Sequence, residues 1–584
     1  MAKLMRLNMT DRSVTVEELP EQYKYLGGRG LTSTIIYNEV DPLCHPLGPN
    51  NKLVFGLGIV AGTAAPTSSR ISVGAKSPLT GGIKEANAGS TFPPALAAMG
   101  VRALVVEGQP QDDKYWMAYI TWNGEKGEPQ VEFLPADEYL GRDLYEVFPE
   151  LRERFGKVSI AGIGVAGEFR YANSGVVFDD MEGRPARYAG RGGLGAVMGS
   201  KGLKFIIVDR KGAPGVEIVD KETFDRGRKK LTEALLQHDI TKPKGGLNTY
   251  GTAILVNIIN EAGAFPTRNF SSGRFEGAAK ISGEALFEGN KERLGKELYN
   301  HACSPGCIIQ CSNTWYREDG TELVSCQEYE SIWSLGANCG IDSLDVTGEL
   351  IRLCNAYGLD TIEAGCTLAV AMEGGLAEFG DGEAAIKLMH EIGKGTPLGR
   401  ILGAGTATTA KVLGVTRAPV VKGQSMPAYE PRAIKGIGMV YATGPMGADH
   451  TQGYTIAPEI LGVSGKVDQF DKDKAALARG FLEATAFIDS TGHCLFIAFA
   501  ILDIASGFEG VVEECNGVLG TNWTMEDVNR IGREILDRER AFNEAAGISK
   551  ADDRMPEFMK LEPLPPHNVT WDIPDEALDA VWEG

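Results

Sequence analysis

Apolar and polar residues alternate with the period of a β-strand through much of residues 1–208. KLMRLNM and SVTVEEL flank a turn at Thr10-Asp11-Arg12 and predict a hairpin over residues 3–19. A second hairpin is predicted from YWMAYITWNGE to PQVEFLP, and helices are predicted after GGRG (27–30) and over residues 142–156. The other predicted strands are KLVFGLGIV (52–60), RISVGAK (70–76), ALVVEG (103–108), KVSIAGI, GVVF and FIIVD.

A helical pattern replaces the strand pattern after the sequence KGAP at residues 211–214. KETFDRGRKKLTEALLQH and VTGELIRLCNAYGL repeat apolar residues every three or four positions, as amphipathic helices do. A Gly-rich stretch at 423–453 interrupts this pattern, and a Pro-rich tail at 563–574 follows it. We therefore predict an α+β fold. It has an N-terminal β-rich domain at 1–208, a helical domain at 209–418 and a mainly helical domain at 419–584.

Charge and cysteine content exclude several classes of protein. The net charge is −20 over 584 residues, which repels nucleic acid and anionic membranes. The N-terminus has no signal-peptide core, and no run of 18 apolar residues occurs. Ten Cys are too few for a disulfide scaffold of this size. We expect a protein of the reducing cytoplasm, with no membrane span and no nucleic-acid partner.

Three cysteines, Cys303, Cys307 and Cys311, lie four residues apart in HACSPGCIIQCSNTW. The Pro-Gly pair at 305–306 breaks any helix there, so we predict a loop at the first Cys and a helix that carries the other two. Three clustered thiolates and a remote fourth are typical of an iron–sulfur cluster, and Cys494 is the remote candidate. The alternatives are buried apolar Cys, or a zinc site, which would usually need a C-x2-C pair.

Two glycine motifs, at 162–167 and 190–195, match G-x-G-x-x-G. A dinucleotide site needs a strand before the motif and a helix after it. EFRYANSG after the first motif is a poor helix start, and MEGRPARYA before the second does not resemble a buried strand. We predict instead a cradle for another phosphate-bearing cofactor, formed by Arg184, Arg187 and Arg191.

Two further polar residues are candidates for catalysis. Glu330 lies among aromatic residues in QEYESIW, where partial burial would raise its pKa, and the alternative is an exposed Glu on a helix. His450 follows Gly-Ala-Asp at the end of the Gly-rich stretch, and the alternative is a solvated loop His.

Many motifs together resemble the aldehyde:ferredoxin oxidoreductase family. They are ANAGS, RYAGRGGLGAVMGSKGLKFI, YGTAILVNIINEAGAFPTRNF, EYESIWSLGANCGI, GLDTIEAG and IDSTGHCLF, in this order along nearly the whole chain. The resemblance implies a tungsten bis-pterin cofactor with Mg, one [4Fe–4S] cluster, and a β-rich cofactor-base domain capped by two helical domains.

The resemblance also implies roles for individual residues. It implies Cys303, Cys307, Cys311 and Cys494 as cluster ligands, and Glu330 and His450 beside the substrate. It implies as cofactor contacts Arg70, Asn87, Ala88, Gly89, Arg187, Tyr188, Asn355, Asp360, Asp489, His493 and Leu495. Three features depart from the family pattern. The cluster motif is C-x3-C-x3-C instead of C-x2-C-x3-C, Asn355 replaces an Asp, and His493 precedes the fourth Cys, where it could tune the cluster through a hydrogen bond.

The expected activity is oxidation of an aldehyde to a carboxylic acid, with electrons passing through the cluster to ferredoxin or a ferredoxin-like subunit. An oligomer is expected. Within the family, the alternative is a low-potential reductase of a carboxylic acid or acyl-CoA. A radical S-adenosylmethionine enzyme also uses three clustered Cys, but it leaves one iron open, so a fourth ligand at Cys494 counts against it. A simple electron carrier would not need 584 residues.

Overall fold

Two six-stranded sheets form the N-terminal part of the chain in the computed structural model, which describes residues 2–583. The first sheet has the order β2-β1-β6-β3-β4-β5, and the second has the order β11-β10-β9-β12-β7-β8. The strands are β1 Lys3–Asn8, β2 Ser13–Glu18, β3 Leu53–Leu57, β4 Arg70–Lys76, β5 Ile83–Gly89, β6 Val101–Glu107, β7 Trp116–Asn123, β8 Glu128–Pro135, β9 Ser159–Gly162, β10 Val176–Asp179, β11 Pro185–Ala189 and β12 Leu203–Asp209. The helices of this part are α1 Gly28–Glu39, α2 Phe92–Ala98, α3 Leu144–Phe155, α4 Val165–Glu168 and α5 Leu194–Ser200.

The edge strands β5 and β11 carry residues that the site needs. β4 and β5 pair antiparallel so that Arg70 lies opposite Gly89. β11 pairs on one side only, with β10, in a register that sets Arg187 opposite Phe178. An edge strand keeps part of its backbone polar groups unpaired and available to a ligand. The two edges therefore supply donors and acceptors to the space between the sheets and the helical part.

Helices dominate the rest of the chain. The elements up to residue 413 are α6 Lys221–Gln237, α7 Gly246–Tyr250, α8 Leu255–Glu261, α9 Gly283–Leu294, β13 Thr314–Tyr316, β14 Glu322–Ser325, α10 Tyr329–Leu335, α11 Leu344–Tyr357, α12 Thr361–Glu373, α13 Gly382–Lys394, α14 Pro397–Gly403 and α15 Thr406–Leu413. Those that follow are β15 Val420–Val421, β16 Gln424–Ser425, α16 Lys435–Thr443, α17 Ala475–Thr491, α18 Ala498–Asp503, α19 Ala505–Leu519, α20 Met525–Ala545, α21 Glu557–Leu561 and α22 Asp575–Asp579. The predicted α+β class, with a β-rich part followed by helices, is confirmed.

One prediction about the glycine motifs is wrong. The segment before the second motif forms β11 and α5 begins within the motif, so the strand that we judged missing is present. The first motif follows β9, and the four-residue α4 lies almost wholly inside it; the segment EFRYANSG continues as turns, as predicted. The sheet nevertheless differs from a dinucleotide fold, because β9, β10, β11 and β12 pair antiparallel and not as parallel β-α-β units.

The hydrophobic core bears on the domain boundaries. β12 ends at Asp209, next to the predicted boundary at 208. One continuous cluster of buried apolar side chains extends through the helical part, from Leu231 to Trp582. The division at 418 thus crosses a shared core and stays a prediction. No helix within residues 2–583 has the length and hydropathy to cross a membrane.

Candidate active site

A cavity of about 390 Å³ lies where β5 and β11 meet the helical part. The wall includes nearly all the residues that the sequence predicts for the site. Those on the wall are Arg70, Asn87, Ala88, Gly89, Arg187, Tyr188, Cys303, Cys311, Glu330, Asn355, Asp360, His450, Asp489, Cys494 and Leu495. Cys307 lies behind the wall, close enough to Cys303 for the two thiols to interact. His493 lies off the wall.

The three clustered cysteines lie on a loop of turns, so the helix predicted for Cys307 and Cys311 is wrong. Gly306 (φ +77°) and Gln310 (φ +50°) have left-handed backbone conformations, which end helical geometry on both sides of Cys307. Hydrogen bonds to Thr67 hold the loop instead: the Thr67 N–H donates to the Gly306 carbonyl (3.0 Å).

Thr67 also brings the remote cysteine to this loop. The Cys494 N–H donates to the Thr67 carbonyl (3.0 Å), and the Ile308 N–H donates to the Thr67 hydroxyl (3.0 Å). The thiols of Cys303 and Cys311 each lie within electrostatic range of Cys494. The segment before β4 therefore joins the two parts of the candidate ligand set.

The spacing of the four thiols is too wide for a single zinc ion. Thiolates around tetrahedral zinc, with Zn–S bonds of about 2.3 Å, lie roughly 3.8 Å apart. Within residues 2–583, only one group of three potential metal ligands has its ligand atoms within 4.8 Å of one another. It consists of Asp180, Glu182 and His301 and contains no cysteine. That group already holds the Arg184 guanidinium, which pairs with both carboxylates (2.7 and 2.8 Å). No three of the four thiols lie that close together, so the set does not fit one zinc ion, and it keeps the three-plus-one arrangement that is typical of an iron–sulfur cluster.

The three arginines of the predicted phosphate cradle differ in how far their guanidinium groups are already paired. Arg184 pairs with Asp180, Glu182 and Glu322. Arg191 donates to Asp360 (3.1 Å) and to the carbonyls of Ser425 and Ala448. The Nη2 of Arg187 bonds the Ser312 hydroxyl, but its buried Nε has no partner. Of the three, Arg187 and Arg191 lie on the cavity wall and Arg184 does not, and Arg187 has the one guanidinium nitrogen without a partner among them.

Unpaired buried polar atoms on the wall show what the cavity could hold. They are Arg187 Nε, Glu85 Oε1, Glu330 Oε1 and His450 Nδ1. Buried polar groups are normally satisfied, so these atoms indicate a polar ligand. Arg70 adds a cation beside the cysteine loop and bonds Asn87 through its Nε. The cationic donors fit an anionic, phosphate-bearing cofactor. The neighbouring thiols fit an iron–sulfur cluster beside it.

Glu330 and His450 meet at the wall of the cavity. Glu330 lies in the first turn of α10, where its Oε2 accepts the Ala428 N–H (3.0 Å) and its Oε1 is 3.4 Å from His450 Nε2. Burial raises the pKa of Glu330 to about 8, against the Ala428 hydrogen bond. Burial lowers the pKa of His450 to about 4, against the nearby Asp449. Both side chains are largely buried. The two alternatives from the sequence, an exposed Glu on a helix and a solvated loop His, are therefore wrong.

The other predicted contacts have partners within the chain. Asp489 Oδ2 lies 3.4 Å from Arg29 Nη1. The pKa of Asp489 is raised to about 8, mainly by burial and to a lesser extent by the negative charge of Glu85. The Tyr188 hydroxyl donates to the Asn355 carbonyl (2.6 Å), while the Asn355 amide donates to Tyr145.

His493 does not make the hydrogen bond towards the cluster that we predicted. Its two ring nitrogens bond the Thr491 hydroxyl (2.9 Å) and the Glu514 carboxylate (2.7 Å). Both His493 and Glu514 have fully buried side chains. This residue therefore anchors the segment before Cys494 and does not face the cavity.

Three further wall residues received no role in the predicted site, although Glu328 shares the aromatic run of Glu330. Glu328 accepts hydrogen bonds from Thr252 (2.7 Å) and Ser312 (3.2 Å) beside the cysteine loop. Tyr429 and Tyr454 flank the His450 ring, at 5.5 and 6.0 Å between centroids, and their hydroxyls bond each other (2.8 Å). Glu328 was visible in the aromatic run, but no spacing marks the two tyrosines.

Comparisons with known proteins agree with this arrangement. The family model for the aldehyde ferredoxin oxidoreductase N-terminal domain matches residues 4–210, and the model for domains 2 and 3 matches residues 227–583. The tungsten-containing aldehyde ferredoxin oxidoreductase of Pyrococcus abyssi is 38% identical over 96% of this chain and 92% of its own. That of Pyrococcus furiosus is 37% identical over the same shares.

More distant proteins share the architecture. An aliphatic sulfonate oxidoreductase, WOR-like subunit, of Pyrococcus furiosus is 27% identical over 98% of this chain and 91% of its own. Among solved structures, the active site complex BamBC of benzoyl coenzyme A reductase with 1,5-dienoyl-CoA has a TM-score of 0.78. It is 18% identical and covers 99% of this chain and 93% of its own, a likeness of fold alone. With both family models matched across the sheets, the cysteine loop and the Glu330–His450 pair, the chain belongs to the aldehyde ferredoxin oxidoreductase family.

Proposed function

We propose that this protein is a tungstopterin enzyme that oxidises aldehydes to carboxylic acids and passes the electrons to ferredoxin. The aldehyde and one water give the acid, two protons and two electrons, and ferredoxin accepts the electrons. The relatives that share more than a third of its residues over 96% of its length carry tungsten and this activity in their names. The reducing cytoplasm suits the free thiols, and we place the enzyme there, as an oligomer.

We assign the cofactors to the residues around the cavity. Cys303, Cys307, Cys311 and Cys494 would ligate a [4Fe–4S] cluster. Its loop reaches the surface at Gly306 and Gln310, which are exposed and suit an electron-transfer contact with ferredoxin. Bound pterins would be held by Arg70 and Arg187, by the β5 segment 87–89, and by other residues of the wall. These are the polar Tyr188, Asn355, Asp360 and Asp489 and the apolar Leu495. When bound, the tungsten group would accept two electrons from the substrate and the cluster would relay them.

The observation that carries the proposal is the contact between Glu330 and His450 at the cavity wall, 3.4 Å apart. The carboxylate form of Glu330 would take a proton from the water that adds to the aldehyde carbon. The neutral His450 ring would donate a hydrogen bond to the aldehyde oxygen as negative charge develops there. Tyr429 and Tyr454 pack against His450 and keep bulk water away from the pair.

Metal analysis and an aldehyde assay test the proposal directly. Anaerobically purified protein should contain tungsten and four iron atoms per chain, release a pterin on denaturation, and reduce ferredoxin or a viologen dye with an aldehyde. If the analysis finds molybdenum and no tungsten, the proposed metal is wrong and the proposed reaction stands. Recovery of a flavin or nicotinamide instead of a pterin would overturn the proposal. Formation of 5′-deoxyadenosine from S-adenosylmethionine would favour a radical enzyme. Reduction of an acid or acyl-CoA without measurable aldehyde oxidation would favour the related reductase.

A further inference from the structure

The loop with the clustered cysteines reaches the surface at Gln310, and a lysine lies beside it. The Gln310 N–H donates to Cys307 Sγ (3.4 Å), so this exposed residue contacts a candidate cluster ligand directly. Asn248 on α7 joins Gln310 to Lys244. Its side-chain nitrogen donates to the Gln310 carbonyl (3.1 Å), and its side-chain oxygen accepts the Lys244 N–H (2.9 Å). One buried side chain therefore holds Lys244 against the exposed end of the loop.

Lys244 is an exposed cation without a carboxylate partner. Within residues 2–583 it makes no ion pair, and its ammonium lies over the Tyr299 ring, 5.3 Å from the centroid. Its backbone has a left-handed conformation (φ +58°), which is unfavourable for a lysine and readily adopted by glycine. The hydrogen bond to Asn248 holds the backbone in this conformation. The fold thus fixes an uncompensated positive charge next to the cysteine loop.

Helix α6 adds cations where the same loop exposes Gly306. Phe224 of this helix packs with Ala65 in one apolar cluster, and the Ala65 carbonyl lies 3.9 Å from a Cβ added at Gly306. Lys221, three residues before Phe224, is exposed and makes no ion pair in the described part of the chain. Residues 221–248 contain seven Lys and Arg and four Asp and Glu, whereas the whole chain has a net charge of −20. This segment is therefore locally positive on a strongly negative protein.

We propose that Lys221, Lys244, Gly306 and Gln310 form the docking surface for an acidic iron–sulfur electron carrier. The inference rests on the proposed function and names the surface where its electrons leave. The net charge of −20 repels an acidic carrier from the molecule as a whole, so a local positive surface determines where such a carrier docks. Each docking event transfers one electron to the oxidised carrier, and two events complete the oxidation of one aldehyde.

The test compares two electron acceptors in cofactor-loaded enzyme, an acidic ferredoxin and the dye benzyl viologen at saturating concentration. Lys244→Glu should lower kcat/KM for ferredoxin about tenfold or more at low salt, because a reversed charge slows association with an acidic partner. The kcat with viologen should stay unchanged, since the small dye does not need the docking surface. At roughly 0.5 M salt the difference from wild type should shrink, because salt screens the charges.

Lys411→Glu is the matched control. Lys411 is an exposed lysine of α15, a helix that packs against α12 and α14, and it also makes no ion pair among residues 2–583. The same change of charge at this position should leave kcat/KM for ferredoxin at the wild-type value.

Lys244→Gly covers the case that Lys244→Glu disturbs the fold. It removes the cation at a backbone angle that glycine adopts readily, so the melting temperature should not fall, while kcat/KM for ferredoxin should fall several-fold. Lys244→Arg keeps the charge and should retain the wild-type value. If Lys244→Glu and Lys244→Gly both behave like Lys411→Glu, or if the wild type reduces a basic cytochrome c faster than ferredoxin, the docking surface is overturned while aldehyde oxidation stands. Failure of fully loaded wild type to reduce viologen with any aldehyde overturns the proposed function, and the docking surface falls with it.

Discussion

At the scale of single residues, burial shifts the pKa values of the two candidate catalytic groups in opposite directions. Glu330 has its pKa raised to about 8 and His450 has its pKa lowered to about 4. Near neutral pH the carboxyl group holds the proton and the imidazole is neutral. Environments that separate two pKa values in this way are typical of acid–base pairs in active sites.

The pH dependence of the reaction follows from Glu330. A general base works in its deprotonated form, so kcat/KM should rise with pH through a pKa near 8, by about tenfold between pH 7 and pH 9. His450 is neutral across this range, so its titration should not change kcat/KM between pH 7 and pH 9. The measurement is kcat/KM from pH 6 to pH 9, with tryptophan fluorescence as the control for unfolding. A profile that falls with rising pH would exclude Glu330 as the base.

Substitution of either residue should separate catalysis from cofactor binding. Glu330→Gln and His450→Ala should each lower kcat about a hundredfold or more, the usual loss for a general base or an oxyanion donor. Tungsten, pterin and iron contents should match the wild type. His567→Ala, at an exposed His away from the cavity, is the control and should keep full activity. Near-normal kcat in a fully loaded variant would remove that residue from the mechanism.

His493 should matter for stability more than for chemistry. His493→Ala leaves the buried Glu514 carboxylate without its partner, and the other Glu514 oxygen already has none. Removal of one member of a buried pair typically costs about 3–5 kcal/mol. We expect a clearly lower melting temperature, with much of it recovered in the double variant His493→Leu, Glu514→Leu. An unchanged melting temperature of His493→Ala would contradict this role.

Single residues could be predicted where their chemistry shows in a short motif. The cysteine loop, Glu330 and His450 were found this way, and the structure brings them to one cavity. The pairing of Arg184 with Glu322, of Arg191 with Asp360 and of His493 with Glu514 could not be found, because these partners lie 138, 169 and 21 positions away. Sequence spacing indicates which donors exist, but not which of them are already satisfied.

At the scale of elements, the end of β5 packs directly against the cysteine loop. A Cβ added to Gly89 would lie 3.1 Å from Cys303 Sγ and 3.0 Å from Arg70 Nη1, both closer than ordinary contacts. Only a residue without a side chain lets the strand and the loop approach this closely. The strand therefore limits where the first candidate cluster ligand can lie.

Gly89→Ala should displace this ligand. We expect a lower iron and sulfide content, or an altered EPR signal of the reduced cluster, in protein that still folds. Gly124→Ala is the matched control, because no atom lies within 4 Å of a Cβ added there. Iron content and EPR signal equal to those of the wild type would show that the loop has room to move.

Predictions for elements succeeded where one periodicity dominated. The β1–β2 and β7–β8 hairpins and strand β4 were found from alternation alone. β5 and β11 were missed because their small and polar residues face a cavity and not an apolar core. The helix predicted for the cysteine loop was wrong because hydrogen bonds to Thr67, from a distant segment, outweigh local spacing.

At the scale of the whole molecule, a buried ion pair joins the two ends of the chain. Arg29 on α1 donates twice to Glu539 on α20, at 2.9 and 2.8 Å across 510 positions of sequence, and also contacts Asp489. All three side chains are largely or fully buried. The β-rich base and the C-terminal helices are thus held together next to the cavity.

Loss of this pair should destabilise the whole molecule. Arg29→Met leaves the Glu539 carboxylate buried without a counter-charge, a change that typically costs about 3–5 kcal/mol. The melting temperature and the retained pterin should both fall. Arg530→Ala, which removes an exposed pair with Asp527 and Glu534, is the control and should change stability by less than about 1 kcal/mol. Equal effects of the two substitutions would contradict the role of the buried pair.

The wall of the cavity is assembled from residues between Arg70 and Phe496, which has a consequence for biosynthesis. A ribosome must have made most of the chain before the last wall residues exist. The complete site therefore exists only when the chain is nearly finished, at a stage when the N-terminal sheets can already have folded. From then until loading, the protein without cofactors must stay able to take up metal and pterin.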